Sequence, residues 1–191
     1  MVIKPILRFA HDLLKEALSS GDVAVDCTMG NGHDTLLLSQ LVGKAGHVYA
    51  FDIQSDALIN TRRLLSEHDI DETRVTLICG SHADLKGYIP VHLHQNIRAV
   101  VFNLGYLPGG DKSICTAAAS TIKAIEELFS MMAAGGVIVL VVYCGHEQGA
   151  VEASALLEYC KHWKKDIANV VEYRILNNNN NPPFVIAIEK R

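Results

Sequence analysis

The stretch Asp26-Cys27-Thr28-Met29-Gly30-Asn31-Gly32-His33-Asp34-Thr35 sets carboxylates on both sides of a Gly-x-Gly turn. A short apolar run, Val23 to Cys27, leads into it, and a helically spaced segment, His33 to Leu41, leads out. Such a strand-to-helix turn lets the backbone approach a ligand closely, because Gly30 and Gly32 carry no side chain to obstruct it. Asp52 ends the next apolar run, twenty residues after Gly32. A carboxylate there can accept hydrogen bonds from both hydroxyls of a ribose. A Gly-rich turn that binds nothing is the alternative, and the position of Asp52 weighs against it.

Two features choose between nucleoside ligands. Thr35 replaces the third glycine of the dinucleotide pattern, and Asp26 stands four residues before Gly30. An acid so near the loop repels a pyrophosphate. S-adenosylmethionine has no phosphate and carries an ammonium and a sulfonium, so an acidic loop suits it. The loop is therefore expected to bind S-adenosylmethionine through Asp26, Met29, Gly30, Asn31, Gly32 and Asp34, with Asp52 on the ribose. Gln54 can touch the adenosine edge or be a solvated loop residue. Ser81 and His82 follow the third strand, where they can hydrogen-bond the base; local turn capping by Ser81 is the alternative.

The acceptor side has its own motif, Asn103-Leu104-Gly105-Tyr106-Leu107-Pro108-Gly109-Gly110-Asp111. It follows the fourth strand, and in open α/β sheets reacting groups meet beyond the strand ends. The segment is a variant of the Asn-Pro-Pro-Tyr pattern of amino-group methyltransferases, without the two prolines. An Asn carbonyl accepts a hydrogen bond from an amine, and an aromatic ring stacks on a base. A glycine-rich turn with Tyr106 packed on the core is the alternative. Tyr143 and His146, after the fifth strand, are further candidates for the acceptor pocket; a lone histidine also serves as a structural hydrogen-bonder. An aliphatic ammonium must lose a proton before it can attack, and Asp111 and His146 are the expected acceptors. No metal is expected: His92-x-His94 has no accompanying cluster and reads as surface. Arg62, Arg63, Lys161, Lys164 and Lys165 read as solvated helix faces, with a phosphate-binding patch as the other reading.

These residues need elements to hold them. Apolar spacing predicts a helix over Pro5 to Leu18, closed by Gly21, and further helices over His33–Leu41, Asp56–Glu67, Thr116–Ala133 and Val151–Trp163. Strands are predicted at Val23–Cys27, His47–Asp52, Val75–Cys79, Ala99–Asn103, Val137–Tyr143, Val170–Leu176 and Phe184–Glu189. The valine-rich fifth strand should be buried on both faces. Alternation of strand and helix implies an α/β, Rossmann-like sheet of seven mostly parallel strands with helices on both faces. The last two strands have no helix between them, so the final one should be antiparallel, an ending typical of class I methyltransferases.

With 191 residues, 49% apolar and 20% charged, the chain is expected to form one globular domain over 1–191. No apolar run is long enough to span a bilayer and no signal peptide is read. Five scattered cysteines without Cys-x-x-Cys suggest reduced thiols and a cytoplasmic protein. A net charge of −4 argues against a general nucleic-acid coat and leaves room for a local RNA-binding patch.

The motifs at Asp26–Thr35, Asn103–Lys112, Tyr143–His146 and Asn181-Pro-Pro-Phe184 resemble a bacterial family first labelled "putative rRNA methylases", whose characterised members are tRNA 5-aminomethyl-2-thiouridine methyltransferases. The likeness runs over essentially the whole chain. It implies methylation of the aminomethyl group on the wobble uridine of the tRNA anticodon stem-loop by a typically dimeric enzyme. On matching positions, Asn31, Asp52, Gln54, Ser81 and His82 would bind the cofactor. Asn103 to Asp111 (Leu104, Gly105 and Tyr106 among them) and Tyr143 to His146 would face the modified base. Cys144 stands where members often have proline, and Gln148 where the stretch is often glycine-rich. Methylation of another RNA or of a small-molecule amine, and a non-catalytic cofactor-binding subunit, are the competing readings.

Overall fold

The computed structural model describes residues 2–107, 109, 115–178 and 181–191. The elements run α1 (Ile6–Ala17), β1 (Val23–Asp26), α2 (His33–Val42), β2 (His47–Asp52), α3 (Ser55–Glu67), β3 (Val75–Cys79), β4 (Ile97–Leu104), α4 (Ala118–Met131), β5 (Val137–Val142), α5 (Glu147–Lys161), β6 (Ala168–Tyr173) and β7 (Phe184–Lys190). Three short 3-10 turns, at Glu72–Arg74, His82–Gly87 and Val91–Asn96, complete the order and carry no apolar periodicity that would reveal them in sequence.

The seven strands form one sheet in the order β3-β2-β1-β4-β5-β7-β6. All neighbouring pairs are parallel except those of β7, which is antiparallel to both β5 and β6. The final strand thus inserts between the fifth and sixth, as a direct return from β6 requires. Every residue of β5 is buried, because helices cover both sides of it. Alternation along the strands sorts their side chains. Phe102, Leu104, Leu140 and Val142 join Leu128 of α4 and Leu156 of α5, while Val101, Val139 and Val141 join Leu14 of α1, Leu38 of α2 and Leu65 of α3. Each fully buried side chain of this size contributes roughly 1.5–3 kcal/mol, so these central strands form a rigid platform.

The sheet order reverses between β1 and β4, the switch point at which open α/β sheets bind ligands beyond the strand ends. The Asp26–Thr35 loop leaves one of these strands and the Asn103 segment the other. Helix α1 buries Ile6, Ala10 and Leu14 at a four-residue spacing and crosses the sheet near β4, β5 and β7. It is one residue shorter than predicted at each end, with Leu18 already extended. Helix α5 begins four residues before the predicted Val151, because His146 caps it with its side chain and residues 147–150 have no apolar stripe. Helix α4 is shorter than predicted at both ends, and β6 lies two to three residues earlier. Among the described residues no helix is long and apolar enough to cross a membrane.

Candidate active site

A cavity of about 1350 Å³ opens at the carboxyl ends of the strands around this switch point. Its wall carries Met29, Gly30, Asn31, Asp34, Asp52, Gln54, Ser81 and His82 from the expected cofactor set, and Asn103, Gly105, Tyr106, Tyr143 and His146 from the expected acceptor set. The two groups, far apart in sequence, meet in one space. Three expected residues do not line it. Asp26 is fully buried behind the loop, Gly32 sits at the start of α2, and the Leu104 side chain is in the core. Asp111 lies outside the described residues.

Asp26 holds the loop rather than facing a ligand. One carboxylate oxygen accepts from the Thr28 amide at 3.1 Å and the other from the Thr35 hydroxyl at 2.7 Å. Burial, reinforced by the nearby charges of Asp34 and Asp52, pushes its carboxyl up to about 7. This explains why Thr35 stands where a dinucleotide loop has glycine: its hydroxyl satisfies the buried acid. Gly32 has φ +87, and a Cβ there would lie 2.9 Å from the Thr61 backbone on α3. Its role is the close approach of loop and helix.

Asp52 is preorganised for a diol. Its two oxygens accept the amides of Gly30 and Gln54, both at 3.0 Å, leaving lone pairs for two further donors. Asn31 is held by the Asn60 amide at 3.0 Å. Gln54 is the N-cap position of α3 without a capping side-chain bond, so its amide stays at the cavity wall. The Ser81 hydroxyl accepts from the Ala83 amide at 3.1 Å, the turn-capping role, and the residue lines the cavity as well. His82 Nδ1 is 2.9 Å from the Cys27 carbonyl. A carbonyl only accepts, so this nitrogen carries the hydrogen, and burial lowers the ring's pKa and keeps it neutral.

The acceptor side is built on Asn103. Its backbone amide donates to the Thr28 hydroxyl at 2.7 Å, which ties the β4 end to the cofactor loop. Its side-chain amide donates to Asp34. A carboxylate accepts only, so Asp34 fixes which end of the Asn103 amide is which. The other end, Oδ1, is buried and has no partner. An unmet acceptor beside a cavity is what an incoming amine N–H would satisfy. Tyr106 is 40% exposed, so it is not packed on the core; its ring centroid lies 5.9 Å from that of His146.

His146 is not placed to serve as a base. Its Nδ1 accepts the Gly149 amide at 3.0 Å and caps α5, so the lone pair a base would use is occupied and the hydrogen resides on Nε2.

Two groups escaped the sequence reading. His11 of α1 lines the cavity and places Nε2 2.7 Å from Asp34 Oδ1. No local motif surrounds it; only the packing of α1 across the sheet brings it there. Glu152 of α5 is buried and accepts the hydroxyls of Thr116 at 2.6 Å and Thr121 at 2.9 Å. It anchors the returning end of the acceptor segment to α5, and burial raises its pKa. A glutamate on the apolar face of α5 was the available signal.

Asp34, Asp52 and Glu147 line the cavity, and among its described lining residues there is no lysine or arginine. Among these residues a pyrophosphate would find no lysine or arginine; a cationic adenosyl ligand fits the donor set. Among the described residues no cluster could hold a metal ion, and His94 bonds only the nearby Ile89 carbonyl at 3.1 Å. Arg63 and Lys161 are exposed and pair along their own helices with Glu67 and Glu158, as solvated faces do.

A family model described as "Putative rRNA methylase" matches residues 48–189. The chain is 38% identical over 156 residues to a chloroplastic tRNA (mnm(5)s(2)U34)-methyltransferase of Arabidopsis thaliana, covering 78% of this chain and 56% of that protein. It thus spans little more than half the length of that relative. It matches the crystal structure of a "putative rRNA-methylase" from Clostridium thermocellum with TM-score 0.95 and 39% identity over the full length of both chains. A "putative methyltransferase" from Streptococcus mutans, crystallised with SAH, matches with TM-score 0.89 and 38% identity, again over both full lengths.

Proposed function

Because this chain belongs to the family described as "Putative rRNA methylase", we propose that it is an S-adenosylmethionine-dependent methyltransferase of RNA whose acceptor is the aminomethyl nitrogen of 5-aminomethyl-2-thiouridine at the tRNA wobble position. The observation that carries the acceptor is the buried, unpartnered Oδ1 of Asn103, oriented by Asp34 in the same cavity as Asp52. The cofactor supplies an activated methyl group. The chain's residues then have to bind, align and desolvate. Asp52 accepts the ribose hydroxyls, the carboxylates of Asp34 and Asp52 favour a cation, and Asn103 aligns the amine nitrogen through its N–H. Alignment of the reacting atoms is the main source of acceleration in such transfers. Tyr106 and Tyr143 offer ring faces to the base. The plant relative supports the same acceptor by the activity in its name.

The reading includes a cytoplasmic homodimer. Val2 and Ile3 before α1 and Leu7 on it are exposed apolar residues that suit a second copy, and light scattering behind a sizing column tests it. The absence of lysine and arginine among the cavity's described lining residues favours a second reading, transfer to a small-molecule amine. One experiment separates the two. Nucleosides from tRNA of cells lacking the gene are analysed by mass spectrometry, with and without the protein added back. Accumulation of 5-aminomethyl-2-thiouridine and its conversion on add-back is expected; no accumulation refutes the tRNA acceptor.

A further inference from the structure

An aliphatic amine is protonated near neutral pH and has no lone pair until a base removes that proton. His146 has its basic lone pair bound to Gly149. Asp34 is differently placed. Its carboxylate lines the cavity beside Asn103, with its side chain 12% exposed, and its Oδ1 lies 2.7 Å from Nε2 of His11, whose side chain is 35% exposed. The pair therefore bridges the reacting end of the cavity and water. We propose that Asp34 and His11 form the exit route for the amine proton, Asp34 taking it at the cavity wall and His11, a positioning residue that acts through Asp34, passing it to solvent. The inference rests on the aminomethyl reading above.

The protons balance. The ammonium gives one proton to Asp34 and becomes the amine. At rest Nε2 carries the hydrogen that bonds the Asp34 carboxylate; once Asp34 is protonated, exchange with water moves that hydrogen to Nδ1, and Asp34 hands its proton to Nε2 and is a carboxylate again. The imidazolium releases its Nδ1 proton to water, which restores the starting tautomer. The free amine then forms its bond to the methyl carbon as the methyl–sulfur bond of S-adenosylmethionine breaks, leaving S-adenosylhomocysteine. The groups that act on the pair are Asp26 at the end of β1 and Tyr143 after β5, both of which feel the Asp34 charge. His33 and Glu147 share the cavity wall, and Arg8 and Lys15 lie along α1 with Asp12.

The test compares the full-length wild type with His11→Gln in single-turnover methylation of tRNA carrying the aminomethyl nucleoside, from about pH 6 to about pH 9. Glutamine can keep the hydrogen bond to Asp34 and cannot titrate. The expected result is a rate about tenfold or more lower near neutral pH that recovers toward wild type as the amine deprotonates unaided, with S-adenosylhomocysteine affinity unchanged by calorimetry. A His11→Gln rate equal to wild type at every pH, an equal loss at every pH, or a loss that tracks cofactor affinity overturns the route while leaving the acceptor reading intact. A wild type that transfers no methyl group to that nucleoside overturns the acceptor reading and the route with it.

Discussion

Replacing Asp26 with asparagine should stabilise the protein at alkaline pH and do nothing at acid pH. The carboxyl is fully buried, and its pKa is raised from an ordinary 3.8 to about 7, first by burial and then by the charge of Asp34. A raised carboxyl means that the folded chain holds this proton more tightly than the unfolded one. Between pH 3.8 and about 7 the native state thus binds more protons, and stability falls as pH rises through that window. Below it both states are protonated and the effect vanishes; above it the full penalty applies. At about 1.4 kcal/mol per pKa unit, a rise of roughly three units sets the penalty near 4 kcal/mol as an upper figure. Asparagine keeps the neutral shape, accepts the Thr28 amide with its oxygen, and meets the Thr35 hydroxyl with its amide once that hydroxyl rotates. Urea unfolding of wild type and Asp26→Asn near pH 4 and near pH 8, with m-values compared, reads the difference directly. The variant should gain stability only at the higher pH. A difference of the same size and sign at both pH values would refute the reasoning, because it would mean that the Asp26 charge plays no part. The cofactor's positive charge should in turn favour ionised Asp26, so the variant should lose affinity for S-adenosylmethionine more than for S-adenosylhomocysteine.

Asp52→Ala should weaken S-adenosylhomocysteine by about two to four orders of magnitude in calorimetry, since it removes two hydrogen bonds to a charged acceptor at roughly 1.5–3 kcal/mol each; unchanged affinity refutes the ribose assignment. Gly32→Ala combines an unfavourable φ with a 2.9 Å approach to Thr61, and should cost about 2–5 kcal/mol in chemical denaturation. Glu152→Ala strands the hydroxyls of Thr116 and Thr121. It should cost about 2–4 kcal/mol of stability and raise KM for RNA while S-adenosylhomocysteine affinity holds.

Much of the fold was legible because its signals are local. The two-residue alternation and valine content of β5, the apolar spacing of α3, and the glycines at 30 and 32 each act through neighbours within a few residues. The boundary that slipped furthest belongs to a segment whose capping is unusual: α5 starts on a histidine cap with no apolar stripe behind it. The turn at Asp26–Thr35 was readable for the same reason as the strands, since loop, Thr35 and Asp52 keep a spacing dictated by one strand–helix–strand unit. The distinction within it was not readable. Asp26 and Asp34 are both acids in one loop, yet one is sealed behind the wall and the other lines the cavity, a consequence of the turn geometry at Gly30 and Gly32.

The order of residues alone determined the α/β architecture, the antiparallel last strand, the strand-to-helix turn at Asp26–Thr35 and the place of Asn103 at the end of the fourth strand. Periodicity, turn chemistry and spacing within one unit are short-range constraints that leave their mark in composition. Tertiary structure decided which end of the Asn103 amide is unpaired, that His146 is a helix cap, and that His11 reaches Asp34 across 23 positions of sequence. Those contacts are made by helices packed over the sheet from distant parts of the chain, and no local pattern encodes which side chains such packing brings within 3 Å of one another.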